Sequence, residues 1–189
     1  PMPTVSGITV MLDSGANSNS KPKHLVQGAL MGSEYAKLLL GKENPTVGLL
    51  NIGEEATKGN DVVLATYPIL EGMKTINFKG NIEGRDIPKG AVDVVVCDGF
   101  VGNVVLKFAE GLVTGLTQLV KDSIMAGSIF AKIGAMLVKP ALKKMAKRLD
   151  HTENGGAPLL GVNGVFMIAH GSSKAKEIKT AIEIASDLV

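Results

Sequence analysis

The sequence has a single cysteine, no tryptophan, two tyrosines and five phenylalanines among its 189 residues. One cysteine can neither close a disulfide within the chain nor supply the thiolates of a zinc cage, so we expect a reduced, cytoplasmic setting and no metal. The shortage of aromatic side chains argues against base stacking, and therefore against nucleic-acid binding of that kind. It also predicts a core built from aliphatic side chains.

Long uncharged hydrophobic runs are missing as well. The opening Pro1-Met2-Pro3-Thr4 lacks the features of a secretory signal, and no stretch of 18 uncharged apolar residues indicates a membrane span. With 45% hydrophobic and 20% charged residues, the chain can still bury a sizeable core. We expect one domain over residues 1–189 that is soluble or binds membranes peripherally.

Acidic residues are absent from one window, residues 123–149, which holds six lysines and arginines. The rest of the chain has 18 acidic against 14 basic residues, so charge is segregated. In this window the hydrophobic Phe130, Ile133 and Leu137 alternate with basic residues such as Lys139 and Lys143. The pattern predicts a basic amphipathic helical extension over 123–150. It fits an anionic membrane surface, an acidic protein partner, or the apolar stripe of a dimer.

Short apolar runs alternate with segments of helical period, which is typical of a parallel α/β fold. The predicted strands are residues 8–12, 47–52, 75–78, 92–97 and 164–169. Four helices are predicted. The first follows Ser20 as its N-cap, the second covers residues 62–70, the third begins at Val104, and the fourth covers residues 174–188. The prediction is a Rossmann-like, open, mostly parallel sheet with flanking helices.

Each predicted strand is followed by glycine together with Asp, Asn, Glu, His or Ser. In an open α/β sheet the carboxyl ends of the strands lie along one edge, where ligands bind. The five exits therefore predict one shared site. The alternative is that these residues only make turns, which is a common use of Gly, Asn and Asp.

Two exits carry candidate anion-binding groups. Residues 98–103 precede a long helix, so free backbone N–H groups beside Gly99 and Gly102 are expected to hold an anion, although the segment matches neither the dinucleotide nor the P-loop pattern. Lys58 is placed to pair with phosphate or to stabilise an oxyanion, or it is simply a solvated lysine.

The last predicted exit holds His170, Ser172 and Ser173. His170 either orients a substrate or bonds to backbone, and Ser172 or Ser173 is an alternative helix cap.

Nucleophile and metal motifs are missing. The chain has no Gly-x-Ser-x-Gly elbow and no histidine pair at metal-binding spacing, and Cys97 lies in the most apolar predicted strand, where a cysteine is usually a buried small hydrophobe. Covalent acyl-enzyme chemistry and metal catalysis are therefore disfavoured. No acidic residue follows a dinucleotide fingerprint, so a nicotinamide cofactor is not expected either.

Seven segments, taken in order, resemble the bacterial phosphate acyltransferase family, PlsX. They are residues 12–17, 48–55, 58–60, 77–86, 94–103, 155–161 and 169–173. The resemblance covers essentially the whole chain. It implies transfer of a fatty acyl group from the thioester of acyl carrier protein to inorganic phosphate, giving acyl phosphate for phospholipid synthesis. No enzyme nucleophile or cofactor is needed, because phosphate itself attacks the thioester.

The resemblance also implies roles for particular residues. Lys58 and Asn103 match positions of the family's active site, with Lys58 acting on phosphate or the oxyanion and Asn103 orienting the same group. The further expected phosphate- or substrate-binding residues are Asn17, Asn51, Gly53, Asn81, Asp98, Gly99, Gly102, His170, Gly171 and Ser172.

Further expectations concern the architecture and the partners. The family implies a sheet like that of isocitrate and isopropylmalate dehydrogenases, a homodimer, and peripheral membrane association, which suits residues 123–150. The chains of the family are longer, so the sequence is expected to be a C-terminal portion of such a chain. The resemblance does not decide whether this portion is active by itself. A phosphotransacetylase-like enzyme and a non-catalytic fragment that binds membrane or carrier protein are the alternatives.

Overall fold

The main sheet has five strands, four of them parallel. The computed structural model describes residues 1–149, 156–169, 171 and 173–188. The strands lie in the order β1-β2-β5-β3-β4, and β1 is antiparallel to β2. Their bounds are β1 (Met2–Thr4), β2 (Gly7–Leu12), β3 (Thr46–Asn51), β4 (Asn77–Glu83) and β5 (Val94–Val96).

Helices flank this sheet, and a short two-stranded ribbon forms a second sheet. The helices are α1 (Pro22–Leu40), α2 (Asp61–Gly72), α3 (Gly99–Ala126), α4 (Ile129–Leu149) and α5 (Ala175–Asp187), with a 3₁₀ turn at Gly84–Asp86. The ribbon pairs β6 (Ala157–Pro158) with β7 (Met167–Ile168). The predicted α/β class, with a mostly parallel sheet and flanking helices, is confirmed.

The core lies on both faces of the central strand β5. Val94 and Val96 pack with Ala29 of α1 on one face, whereas Val95 packs on the other face with Val105 of α3. All three β5 valines are fully buried. Burying each such side chain contributes about 1.5–3 kcal/mol. A strand buried on both faces has a nearly continuous apolar sequence, and that run made β5 the clearest strand to predict.

Two predicted strands are corrected. The third strand covers Asn77–Glu83 rather than 75–78, because a bulge beside Gly80, whose φ is +90°, lets the chain continue along β3. The segment 164–169 is not part of the main sheet, since its Met167–Ile168 portion pairs antiparallel with Ala157–Pro158 in the separate ribbon. A short apolar run does not by itself specify its partner strand.

Two helix starts are corrected as well. Helix α3 begins at Gly99 rather than Val104, because the Asp98 carboxylate caps it by accepting the N–H groups of the next residues. Ser20 is not the cap of α1. Its hydroxyl donates to the Asn17 carbonyl at 3.3 Å, and the helix begins at Pro22.

Helices α3 and α4 form a hairpin (residues 99–149) whose α3 arm emerges from the core. The first turns of α3 pack Val101, Val105 and Leu106 against the sheet, whereas residues 111–120 are all exposed. Helix α4 returns to contact β1. By length and composition α3 could cross a membrane, but apolar helices of other kinds share that property.

Candidate functional site

The starts of three helices surround one cleft at the carboxyl edge of the sheet. The cleft has a volume of about 210 Å³. It lies where the segments following β2, β3 and β5 lead into α1, α2 and α3. The residues lining it are Ser18, Asn19, Ser20, Asn60, Val62, Asp98, Phe100 and Val101. Exits from three neighbouring parallel strands therefore meet, as the sequence predicted for that edge.

Asp13 organises the turn that follows β2. Its carboxylate accepts the backbone N–H groups of Gly15, Ala16 and Asn17 at 2.7–2.8 Å. The Asn17 carbonyl in turn accepts the N–H of Gly99 at 2.9 Å. The turn after β2 is thus joined to the start of α3, and Asn17 serves as the link between them.

The start of α3 is capped from within the chain, contrary to the expectation of free N–H groups there. Asp98 Oδ1 accepts the N–H groups of Phe100 and Val101, each at 3.0 Å, and the Asp98 carbonyl accepts that of Gly102. Together with the bond from Gly99 to Asn17, this occupies the donors of the first turn. The short acidic side chain fills the place that an anion would take.

Gly99 and Gly102 instead allow close packing. A Cβ at Gly102 would lie 1.8 Å from the Asp13 carbonyl oxygen, and one at Gly99 would lie 2.8 Å from the Asn17 carbonyl oxygen. Both glycines are buried. Their role in the structure is to bring α3 against the turn after β2.

Lys58 lies in a compact loop between β3 and α2. Asn51 Nδ2 donates to the Lys58 carbonyl at 2.8 Å, and the Lys58 N–H donates to the Glu55 carbonyl at 3.1 Å. Gly53 is buried beneath the loop, where a Cβ would lie 3.2 Å from Lys58 Cγ. The lysine itself is exposed, and within the described ranges its ammonium has no hydrogen-bond or ion-pair partner. A fixed backbone therefore carries an available cation.

The start of α2, directly after Lys58, retains open donors. Asn60 caps the helix by accepting the Val63 N–H at 3.0 Å. The N–H groups of Asp61 and Val62 make no hydrogen bond to any other described part of the chain. Because Asn60 and Val62 line the cleft, this helix start, unlike that of α3, offers donors for an anion.

Asn103 lies one turn into α3 and is exposed. Its side chain lies close to the turn after β2: a Cβ built on Gly15 would stand 3.7 Å from Asn103 Cγ. Lys58 and Asn103 follow the adjacent strands β3 and β5, so both belong to the same edge of the sheet. Neither residue is among those that line the cleft.

Asn81 is buried in β4 rather than exposed to the cleft. Its side chain is 6% accessible, and Nδ2 donates to the Glu55 carbonyl at 2.9 Å. Its Oδ1 is buried and has no partner among the described residues.

Cys97 is a buried thiol, as expected. Burial raises its pKa to about 12, and the carboxylates of Asp98 and Asp13 act in the same direction. Its Sγ donates to the Asp13 carbonyl at 3.4 Å. A thiol this weakly acidic is not a nucleophile. Within the described residues, no group of three or more His, Cys, Asp and Glu side chains is placed to hold a metal.

The fifth predicted exit follows β7, which is not a strand of the main sheet. His170 and Ser172 lie outside the described residues, and Gly171 is exposed after the separate ribbon. Because β7 is not a strand of the main sheet, the topological argument that grouped these three residues with the others does not apply.

The predicted membrane- or partner-binding residues all lie exposed on α4. Phe130 is 80% accessible and Leu137 is 78% accessible, with Ile133 half exposed. Lys139 and Lys143 are exposed on the same helix. Together with the exposed apolar residues of α3, they form a surface of the kind that marks an interface.

Two residues of this edge were missed in the sequence. Asn60 could have been found from the sequence, because an Asn before the apolar pair Val62-Val63 is a recognisable N-cap signal. The carboxylate of Asp13, two residues before a glycine, has the spacing of a side-chain-closed turn.

Known proteins resemble this chain along its whole length. A family model described as "fatty acid synthesis protein" matches residues 1–189. The "phosphate acyltransferase" of Desulfitobacterium hafniense is 56% identical over 189 residues, which cover all of this chain and 56% of the relative. Proteins of the same name from Heliobacterium modesticaldum and Aquifex aeolicus are 57% and 51% identical, over 97% and 100% of this chain and 54% and 55% of their own lengths. The chain thus spans just over half the length of these relatives.

Proposed function

Because this chain belongs to the fatty acid synthesis protein family, we propose that it acts in the transfer of a fatty acyl group from acyl carrier protein to inorganic phosphate. The product is an acyl phosphate for phospholipid synthesis. The observation that carries the proposal is identity above 50% to proteins named phosphate acyltransferase along essentially all of this chain. The cleft lined by Asn60 and Val62 supports it with open backbone donors, and Lys58, an exposed cation, precedes these residues in the chain.

The proposed reaction needs no enzyme nucleophile. An oxygen of hydrogenphosphate attacks the thioester carbonyl carbon, and the carbonyl electron pair moves onto oxygen. When that intermediate collapses, the carbon–sulfur bond breaks and the departing thiolate takes the proton that the phosphate carried. Positioning and charge stabilisation are then the tasks of the protein.

Lys58 and Asn103 divide these tasks in our proposal. Phosphate binds at the start of α2, where the Lys58 ammonium and the N–H groups of Asp61 and Val62 offset its charge. The Asn103 amide, from the neighbouring exit, orients phosphate or donates to the developing oxyanion. In this proposal phosphate binds on the α2 side of the cleft and not at the start of α3, which the Asp98 carboxylate already caps.

We also propose the wider arrangement that the family resemblance implies. Residues 1–189 form one α/β domain of the isocitrate and isopropylmalate dehydrogenase type, with 123–150 as its extension. The protein is a cytoplasmic homodimer that associates peripherally with membranes. Exposed Phe130 and Leu137 beside Lys139 and Lys143 support a surface that meets either a second copy or an anionic lipid layer.

The test is phosphate-dependent release of thiol. The purified protein is mixed with acyl-carrier-protein thioester, and free thiol is measured with phosphate, with sulfate, and with neither. We expect release with phosphate alone, together with an acyl phosphate that hydroxylamine traps. Equal release in all three mixtures would mean hydrolysis and would contradict the proposal. Binding of carrier protein or vesicles without any turnover would favour a non-catalytic role.

A further inference from the structure

The loop that carries Lys58 is held by two asparagine side chains from adjacent strands. Asn51 of β3 donates to the Lys58 carbonyl at 2.8 Å. Asn81 of β4 donates to the Glu55 carbonyl at 2.9 Å. That same Glu55 carbonyl accepts the N–H of Lys58 at 3.1 Å. Both backbone polar groups of Lys58 are therefore tied, directly or through Glu55, to the sheet.

We propose that Asn81 is a positioning residue that acts through Lys58 and does not touch the substrate. The inference rests on the proposed function for the role of Lys58, but the hydrogen bonds that carry it do not. Asn81 is only 6% accessible, so its amide donates to the loop backbone from the buried interior and not from the solvent side.

The unpartnered oxygen of Asn81 argues that this side chain is not there for stability. Oδ1 is buried without a partner among the described residues. A buried acceptor without a hydrogen bond is unfavourable, and an apolar side chain of similar size would avoid that cost. What the asparagine adds at this position is the donor that reaches Glu55.

The consequence for Lys58 is geometric. Its ammonium ends a flexible four-carbon chain, so only the backbone can limit where the charge resides. If the Glu55 anchor is lost, the loop gains freedom and the ammonium spends less time beside the reacting group. A misplacement of about 1 Å is enough to cost roughly 10²-fold in rate.

A double-mutant cycle separates this role from a general structural one. Asn81→Ala and Asn81→Leu are each made in the natural background and in a Lys58→Ala background, and phosphate-dependent acyl transfer is measured. We expect a loss of about 10-fold or more in the natural background and almost none once Lys58 is absent. The leucine variant has the same branching and number of side-chain heavy atoms as asparagine and removes the unpaired acceptor, which keeps the test available if the alanine variant folds poorly.

Asn77 supplies the matched control. It lies on the same strand, and its amide also donates to a backbone carbonyl, that of Asn44, but at the amino end of β4. Asn77→Ala should leave acyl transfer unchanged. Trypsin cleavage after Lys58, followed by mass spectrometry of the folded protein, gives a second measurement that needs no activity. The rate of this cut should rise in the Asn81 variants and not in Asn77→Ala.

The outcomes distinguish the two proposals. If the natural protein shows no phosphate-dependent transfer, the proposed function fails, and the trypsin measurement alone decides whether Asn81 orders the loop. If the natural protein is active, an equal loss in both Lys58 backgrounds, or no loss at all, overturns the positioning role. Unchanged cleavage after Lys58 in both Asn81 variants overturns it as well.

Discussion

Gly102 lies directly against Asp13: a Cβ at position 102 would stand 1.8 Å from the Asp13 carbonyl oxygen. The obstacle is backbone and cannot rotate away, so Gly102→Ala must push α3 off the turn after β2. We expect a loss of at least about 2 kcal/mol in the free energy of unfolding, measured by urea denaturation. Acyl-transfer activity should fall too, since Asn103 follows directly in the helix.

Gly111 and Gly115 provide the control for that substitution. Both lie in α3, both are exposed, and a Cβ at either would meet nothing within 4 Å. Replacing either with alanine should stabilise the protein by about 0.5–1 kcal/mol, because alanine favours helix. Equal destabilisation at 102 and 111 would contradict the close-packing explanation.

Lys58→Ala and Asn103→Ala should each lower phosphate-dependent acyl transfer by about 10²-fold, comparable to the loss of one oxyanion donor. Circular dichroism should remain that of the natural protein, since both side chains are exposed. Lys74→Ala serves as a control, because Lys74 is an exposed lysine beyond the other end of α2. Near-natural rates in both site variants would rule out the proposed pair.

Asp93 should make the protein less stable in acid. Burial alone would raise the pKa of Asp93, but hydrogen bonds from Lys42 and Thr46 outweigh it and hold the pKa below its usual value. A lowered folded-state pKa gives stability that is complete above about pH 4 and is lost as the pH falls further. Asp93→Asn should cost about 1–2 kcal/mol at pH 7, and this difference should shrink below pH 4 in urea titrations. A difference that stays constant between pH 7 and pH 3 would refute this account.

Leu137→Glu should weaken binding to anionic phospholipid vesicles while acyl transfer in solution is retained. A carboxylate on the exposed face of α4 opposes both insertion of apolar side chains and attraction of its lysines. Leu38→Glu is the control, because Leu38 of α1 is as exposed, at 76% against 78%, but lies outside the hairpin. Vesicle sedimentation at low and high salt measures both. If the two variants bind alike, the hairpin is not the membrane contact.

The elements that the sequence predicted well are those specified by local apolar pattern. The buried Val94–Val96 strand and the closing helix Ala175–Asp187 needed no tertiary information. The ribbon strand Met167–Ile168 was assigned to the wrong sheet because its short apolar run fits either one, and in the structure it pairs with the nearby Ala157–Pro158.

The candidate site was predictable in position but not in its bonding. Grouping the exits at the carboxyl edge followed from parallel topology, which places Lys58 and Asn103 after neighbouring strands. Which N–H groups stay open depended on individual side chains: Asp98 occupies the start of α3, whereas Asn60 leaves two donors of α2 unpaired. Whether a side chain or an anion occupies these N–H groups depends on distances of a few ångströms between side chain and backbone. Residue spacing along the sequence does not specify those distances.

One continuous helix carries both Asn103 and the turn where the hairpin reverses. At 1.5 Å per residue, the 23 steps from Asn103 to Ala126 measure about 35 Å. If the far end of the hairpin binds a lipid layer or a second protomer, as we propose, α3 fixes the distance between that surface and Asn103. In that arrangement α3 is a spacer of fixed length between the proposed binding surface and the edge of the sheet that carries Asn103.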